Sequence, residues 1–153
     1  MEADSMSLDR LTIRKMKPAD ANAIARIHAE IEQSQNVDEY QKIAEEHTVR
    51  NRDASFVAEL DGEVLGYMIG YILPGGFGMK KSAWIAMLGV RPKYMGQGIG
   101  VQLANAIFEH STREGIHTIY TSVRWESPVL LSFFKRLGFE KSNFIKLLIR
   151  LYP

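Results

Sequence analysis

One run of residues constrains this chain more than any other. From Ala83 to Val90 the sequence (AWIAMLGV) carries no ionisable group, and turn-forming residues lie on both sides of it. The run is too short for a buried helix but suits a strand. A strand without polar alternation is covered on both faces, because a solvated face would show polar residues at every second position. We therefore expect a sheet at the centre of the fold with helices on both sides.

The spacing of apolar residues predicts the other elements. Strands are expected at 11–16, 56–60, 64–72, 118–123 and 144–151, and helices at 18–31, 38–52, 99–114 and 127–137. Asp61-Gly62 between two β-rich runs is a strong hairpin signal. The predicted fold class is a mixed α/β domain. Residues 1–10 are expected to be a loose polar leader, and 11–153 a single domain.

Composition excludes several classes of protein. The chain has 19 Lys plus Arg against 18 Asp plus Glu, so it lacks the one-sided basic field of a nucleic-acid or membrane-surface binder. It has no Cys, which excludes disulfides, thiolate metal sites and a cysteine nucleophile. Its 4 His show no metal-ligand spacing, so no metal is expected. No apolar run is long enough for a membrane span, and the expected location is the cytoplasm.

The most informative stretch follows the apolar strand. Gly96, Gly98 and Gly100 stand at alternate positions just before and inside the start of the predicted helix. Glycines there let successive backbone N–H groups face one concavity, and the helix end adds partial positive charge, which suits a pyrophosphate. A tight strand-to-helix turn also uses glycine for steric reasons alone. The spacing by itself leaves both interpretations open.

Two longer patterns favour the first interpretation. The run from Met87 to Gly100 (MLGVRPKYMGQGIG) resembles the acetyl-coenzyme A signature of the GNAT superfamily of N-acetyltransferases. The run from Ser127 to Phe139 (SPVLLSFFKRLGF) resembles the second signature of that family. The resemblance extends from about Leu11 to the end of the chain. It implies the GNAT fold, with a mixed sheet of six to seven strands splayed at the acetyl-CoA site.

The resemblance also implies roles for individual residues. The backbone groups of Leu88, Gly89 and Val90 would bind the pantetheine arm of acetyl-CoA, and the Val90 N–H would face the thioester oxygen as an oxyanion donor. The remaining cofactor positions are Met95, Gly96, Gln97, Gly98, Ile99 and Gly100 around the pyrophosphate, together with Ser127 and Phe134.

The sequence departs from the family pattern at four of its positions. Met95 stands where Arg or Gln is usual, and Ser127 stands where many members have Asn. Phe134 replaces the Tyr that often protonates the departing thiolate, and Ala86 occupies the position of the frequent Glu base. Coenzyme A binding should tolerate the changes at Met95 and Ser127, because the loop binds mainly through its backbone. A thiol pKa near 8.5 makes the thiolate a competent leaving group without full protonation.

Candidates for the missing base and for the acceptor pocket are few. Glu126, at the end of the predicted strand 118–123, is the first candidate for a base acting directly or through water, although a carboxylate also suits a helix start. Tyr67 and Tyr71 lie four residues apart on one predicted strand. With Trp125 they are candidates to line a pocket for an apolar or aromatic amine, simple packing being the alternative.

These observations predict an acetyltransferase. It would move an acetyl group from acetyl-CoA to a primary amine by direct attack through a tetrahedral intermediate. Two alternatives stay open, namely transfer to an α-amine or lysine of a protein, and a catalytically weak acyl-CoA binder or sensor. The apolar strand predicted at 144–151 needs a partner, so a homodimer with this strand at or near the interface is expected.

Overall fold

The computed structural model describes residues 8–50 and 54–152. The chain divides into two compact units, one ending at Ser122 and the other beginning at Val123. Residues 1–7 of the expected leader, and the end of the second predicted helix at Arg52, lie outside the described residues.

The first unit is built on a five-stranded mixed sheet with strand order β1-β2-β3-β4-β5. The strands are β1 (Thr12–Lys15), β2 (Phe56–Leu60), β3 (Glu63–Leu73), β4 (Ser82–Val90) and β5 (Ile119–Thr121). Neighbouring strands run antiparallel except for β4 and β5, which are parallel. Short connections join β2 to β3 and β3 to β4, whereas a long helical segment joins β1 to β2 and a helical crossover joins β4 to the parallel β5.

Helices cover both faces of this sheet, as the apolar β4 predicts. The helices of the first unit are α1 (Ala21–Glu32), α2 (Val37–Arg50) and α3 (Ile99–Arg113), of which α1 and α3 contact the sheet and α2 packs on α1. The second unit contains α4 (Pro128–Arg136). Alternate residues of β3 separate the two faces. Tyr67 and Ile69 belong to an apolar cluster with Ile24 and Ile27 of α1. A Cβ added at Gly70 would instead lie 3.6 Å from Ile107 of α3.

The β2–β3 hairpin confirms the prediction from Asp61-Gly62. Asp61 has φ of 51° and Gly62 has φ of 82°, so both central residues are left-handed. That conformation matches the twist of the flanking strands, and Asp and Gly are among the residues that adopt it most easily.

The last predicted strand is the main difference from expectation. Residues 144–151 form no ladder in the described structure, so the sheet has five strands and not the predicted six to seven. Along this segment Phe144 is 55% exposed and Leu147 is 84% exposed. The physical reason is that a strand exists only with a neighbour, and none of the named strands lies beyond Ser122.

A charge network ties the start of the sheet to the start of α1. The guanidinium of Arg14 donates to both carboxylate oxygens of Asp20, at 2.8 and 2.9 Å, and to Glu59 at 3.1 and 3.2 Å. The backbone N–H of Lys17 also donates to Asp20 at 2.8 Å. Burial alone would raise the pKa of the Asp20 carboxyl, but these hydrogen bonds outweigh burial and hold its pKa below the ordinary value.

Asp20→Asn is expected to lower the free energy of unfolding by about 2 kcal/mol, because charged hydrogen bonds to a buried group are lost. The Asp20 contribution is present above the ordinary pKa of 3.8 and disappears as the pH falls through the lower folded pKa. Urea unfolding between pH 2 and pH 7 measures it. Glu46→Gln, an exposed helical carboxylate, is the control. Equal unfolding midpoints for both variants at pH 7 would contradict the assignment.

Candidate functional site

The two edges of β4 are paired differently. One edge of β4 pairs with β3 along nearly the whole length of β4, from Ser82 opposite Leu73 to Val90 opposite Gly66. β5 pairs with β4 only over Ala83–Ile85. From Ala86 to Val90 the second edge has no neighbouring strand in the described part of the sheet, and we call this stretch the open edge.

Backbone direction along the open edge follows from one hydrogen bond. The backbone N–H of Arg91 donates to the carbonyl of Leu65 at 2.8 Å, so the backbone groups of Arg91 point toward β3. Backbone groups of successive residues in an antiparallel pair point to opposite sides. The backbone groups of Gly89 therefore point toward β3 as well. The N–H and C=O groups of Leu88 and Val90 point to the open edge.

A β-bulge lies where the open edge begins. Ile69 is opposite Met87, yet the next residue of β3, Gly70, is opposite Ile85, which leaves Ala86 as an extra residue. Bulges bend a strand and increase its local twist. The hydroxyl of Thr121, the last residue of β5, donates to the Ile85 carbonyl at 3.0 Å. The bulge and the end of β5 thus coincide, and β4 separates from β5 beyond them.

The glycine loop (Met95–Gly100) connects the open edge to α3. Gly96 and Gly98 have φ of 81° and 84°, a backbone conformation that other residues rarely adopt. Gly98 is the N-cap of α3 and offers no capping side chain. A Cβ added at Gly96 or Gly98 would meet no atom within 4 Å, so this side of the loop is open space. The N–H groups and partial positive charge of a helix N-terminus suit an anion there.

Arg91, between the open edge and the loop, is held by two carboxylates. It forms an ion pair with Glu63 of the β2–β3 hairpin and another with Glu30 of α1, whose Nε–Oε2 distance is 3.4 Å. Both pairs are partly exposed. They fix the direction in which the chain leaves β4, and surface pairs of this kind contribute at most about 1 kcal/mol each.

Three aromatic side chains form a row across neighbouring strands. Tyr71 of β3 is stacked with Trp84 of β4 at 6.3 Å between ring centroids, and Trp84 is stacked with Tyr120 of β5 at 4.8 Å. All three are half-buried. We call them the aromatic row. Tyr71 was a candidate from the sequence, but Trp84 and Tyr120 were not, because the register that makes the three neighbours joins distant parts of the chain.

Tyr67 lies in a different environment from Tyr71. It is 0% exposed, and its hydroxyl has no hydrogen-bond partner among the described residues. A Cβ added at Gly89 would lie 2.8 Å from the Tyr67 ring, which shows that the ring leans over β4. Burial raises the pKa of the Tyr67 phenol, and the carboxylate of Glu32 raises it further. Its predicted contact with an acceptor stays a prediction.

The other predicted site residues belong to the second unit. Trp125 is 86% exposed, Glu126 is exposed, and Ser127 is the N-cap of α4. Phe134 is 3% exposed, and its ring packs edge-on against Phe139 at 5.1 Å between centroids. Phe134 is therefore an apolar packing residue within its own unit. The roles proposed from the sequence for these residues stay predictions.

Two negative findings apply to residues 8–50 and 54–152. No helix in these ranges has both the length and the apolar character needed to cross a membrane. Nor do these ranges contain three or more His, Asp or Glu side chains grouped so that they could hold a metal ion.

The open edge, the bulge and the glycine loop define an α/β protein whose sheet is splayed beside a helix N-terminus. A model of the acetyltransferase (GNAT) family matches residues 21–139. The chain belongs to the GNAT family of acetyltransferases. The family and fold predicted from the two sequence signatures are confirmed.

Individual relatives agree with this assignment. An uncharacterized N-acetyltransferase of Methanocaldococcus jannaschii is 30% identical over 100 residues, which are 63% of this chain and 43% of that protein. The match thus spans less than half of that relative's length.

Two solved structures show the same fold. One is an aminoglycoside N-acetyltransferase in complex with CoA, with a TM-score of 0.73 and 19% identity over 92% of this chain and 94% of the other. The second is a ribosomal-protein-alanine N-acetyltransferase from Brucella melitensis, with a TM-score of 0.74 and 17% identity over 93% and 99% of the two chains. At such identities the likeness concerns the fold alone.

Tyr67→Phe is expected to raise the free energy of unfolding by about 1 kcal/mol, because a buried hydroxyl without a partner opposes folding. Urea unfolding at pH 7 measures the change. Tyr71→Phe, which removes a half-buried hydroxyl, is the matched control and is expected to leave stability nearly unchanged. A lower stability of Tyr67→Phe would show that the hydroxyl has a partner.

Proposed function

We propose that this protein is an N-acetyltransferase that moves an acetyl group from acetyl-CoA to a primary amine. The observation that carries the proposal is the open edge of β4, which leads directly into the glycine loop at the start of α3. An extended ligand arm can pair with the open edge, and a pyrophosphate can bind at the glycine loop. We propose the cytoplasm as the location of this reaction.

The donor is proposed to bind mainly through the backbone. The groups of Leu88 and Val90 that point to the open edge would hydrogen-bond the pantetheine arm, with Gly89 between them. The N–H groups of the glycine loop, from Met95 through Gly96, Gln97, Gly98 and Ile99 to Gly100, would surround the pyrophosphate. Ser127 and Phe134 complete the set of donor positions proposed from the family resemblance.

The chemistry proposed is direct attack. The amine nitrogen forms a bond to the thioester carbonyl carbon, and the carbonyl oxygen becomes an oxyanion that the Val90 N–H stabilises. The carbon–sulfur bond then breaks, and CoA leaves as a thiolate that takes up a proton from water. The proton lost by the attacking nitrogen passes to a base. The chain has no Cys, which accords with a route without a cysteine-bound acetyl intermediate.

Glu126 is the proposed base, acting directly or through a water molecule. β4 holds no ionisable residue, so it supplies none. An α-amino group has an ordinary pKa near 8, whereas that of a lysine-like amine is near 10.4. An α-amino acceptor is therefore deprotonated more easily near neutral pH than a lysine-like amine and depends much less on the base.

The acceptor is proposed to contact Tyr67, Tyr71 and Trp125. Transfer to an amine of a protein is the second candidate reaction. The absence of an ionisable group on β4 favours a third candidate, a weakly active acyl-CoA sensor. A screen of amines and peptides by thiol release, with acetyl-CoA affinity measured in parallel, separates the three. Donor binding without turnover on any acceptor would support the sensor.

Gly98→Val is expected to weaken acetyl-CoA binding by at least about a hundredfold, since a branched Cβ disfavours positive φ and fills the space proposed for the pyrophosphate. Gly115→Val is the matched control. Gly115, just beyond the other end of α3, has φ of 75° and equally open space. Calorimetry on both folded variants measures the affinities. Equal affinities would contradict the pyrophosphate assignment.

We also propose a homodimer in which the C-terminal segment (Phe144–Tyr152) is buried. The odd positions Ile145, Leu147, Ile149 and Leu151 are all apolar, a period-two pattern that suits a strand with one covered face. These side chains are 78–85% exposed in the single chain. An apolar strand left unpaired is an aggregation hazard, which a second copy would remove.

Light scattering is expected to give a mass near twice 17.4 kDa at micromolar concentration. The double variant Leu147→Lys/Ile149→Lys is expected to give the monomer mass, because it places charges on the apolar face. Lys146→Gln is the control on the other face. A wild-type mass of 17.4 kDa that does not change with concentration would overturn the dimer.

A further inference from the structure

The aromatic row and the open edge share one face of the sheet. Trp84 is opposite Tyr71, and Gly89 is opposite Tyr67, and both tyrosines lie on the α1 face of β3. The extra residue at the bulge brings Trp84 and Gly89 to the same face although their numbers differ in parity. Along the strand, Trp84 lies roughly 7 Å from Ala86, where the open edge begins. A molecule on the row thus lies beside the start of the open edge, roughly 10 Å along the strand from Leu88, and its amine must extend along that edge to reach the thioester.

The charged residues on the strands and loop that carry the row are of one sign. Between Tyr71 and Leu88 the chain has no carboxylate, and β5 has none either. The only charged residues in this stretch are Lys80 and Lys81, both exposed. A ligand with several positive charges requires carboxylate partners to compensate its desolvation. The strands and loop that carry the row repel such a ligand, and the carboxylate of Glu32 in α1 lies near Tyr67, farther along the same face.

The connection between β3 and β4 adds apolar surface at the same end of the sheet. Gly76 and Met79 exchange two backbone hydrogen bonds of 2.9 Å, which closes a turn with Phe77 and Gly78 at its tip. Phe77 has φ of 52° and a fully exposed ring. Left-handed backbone at a bulky residue is strained, and strained residues concentrate at functional sites. Local packing does not account for a Phe at this position.

We propose that the aromatic row is the acceptor wall and that it selects a monoamine carried on an aromatic or apolar body. The ring edges of Tyr71, Trp84 and Tyr120 contact that body, while its amine reaches the open edge. Lys80 and Lys81 disfavour polycationic amines such as aminoglycosides. This inference rests on the proposed acetyl transfer and adds the class of acceptor.

The test compares three acceptors with the full chain: 2-phenylethylamine, propylamine and kanamycin. We expect kcat/KM for 2-phenylethylamine to exceed that for propylamine by about tenfold or more, the value of one aromatic contact, with kanamycin the poorest of the three. Trp84→Leu is expected to raise KM for 2-phenylethylamine far more than KM for propylamine, so that most of this preference disappears, whereas the affinity for acetyl-CoA does not change. Tyr40→Leu, which removes a helical ring outside the row, is the control.

Each other result has a distinct meaning. Equal rates on the two monoamines, or preference for kanamycin, would overturn the acceptor wall while leaving acetyl transfer intact. An equal loss on both monoamines in Trp84→Leu would assign the row to packing alone. Tyr71→Leu repeats the test if Trp84→Leu does not fold. If wild type neither binds acetyl-CoA nor acetylates any amine, the proposed function fails, and calorimetric titration with 2-phenylethylamine still decides whether the row binds it.

Discussion

The unequal pairing of β4 is the constraint on which the rest of this structure depends. One edge pairs with β3 from Ser82 to Val90 except at the bulge, which fixes the strand in the core, and the other edge loses its neighbour after Ile85. Buried backbone groups almost always have partners. The backbone groups of Leu88 and Val90 on this edge have no strand partner in the described sheet, and an extended ligand is proposed to supply one.

This arrangement separates two kinds of sequence requirement. Binding by peptide groups needs the correct backbone path, and Gly96 and Gly98 with their left-handed conformations supply it. Acid–base chemistry needs particular side chains, and β4 supplies none. On the roles proposed above, the departures from the family pattern at Met95 and Ser127 affect the first requirement little. Ala86 and Phe134 stand where the family resemblance implies a base and an acid, and Glu126 is the base proposed in their absence.

Local signals in the sequence predicted the fold well, and contacts between distant segments were the ones missed. Asp61-Gly62, the apolar run of β4 and the glycines before α3 each act over a few residues, and all were placed correctly. Trp84 was missed because simple alternation would put it on the face of Leu88. The bulge at Ala86 reverses that alternation and is set by pairing with β3. The strand predicted at 144–151 failed for a related reason, because a partner cannot be seen in the segment itself.

The backbone character of the open edge also bears on how far such sequences can diverge. Every residue except proline carries both peptide groups, so positions 88 and 90 exclude one amino acid and prescribe none. A site of this kind stores little information in side chains. Chains of very different sequence can therefore share a fold, as this protein and the two solved structures compared with it do at 17–19% identity.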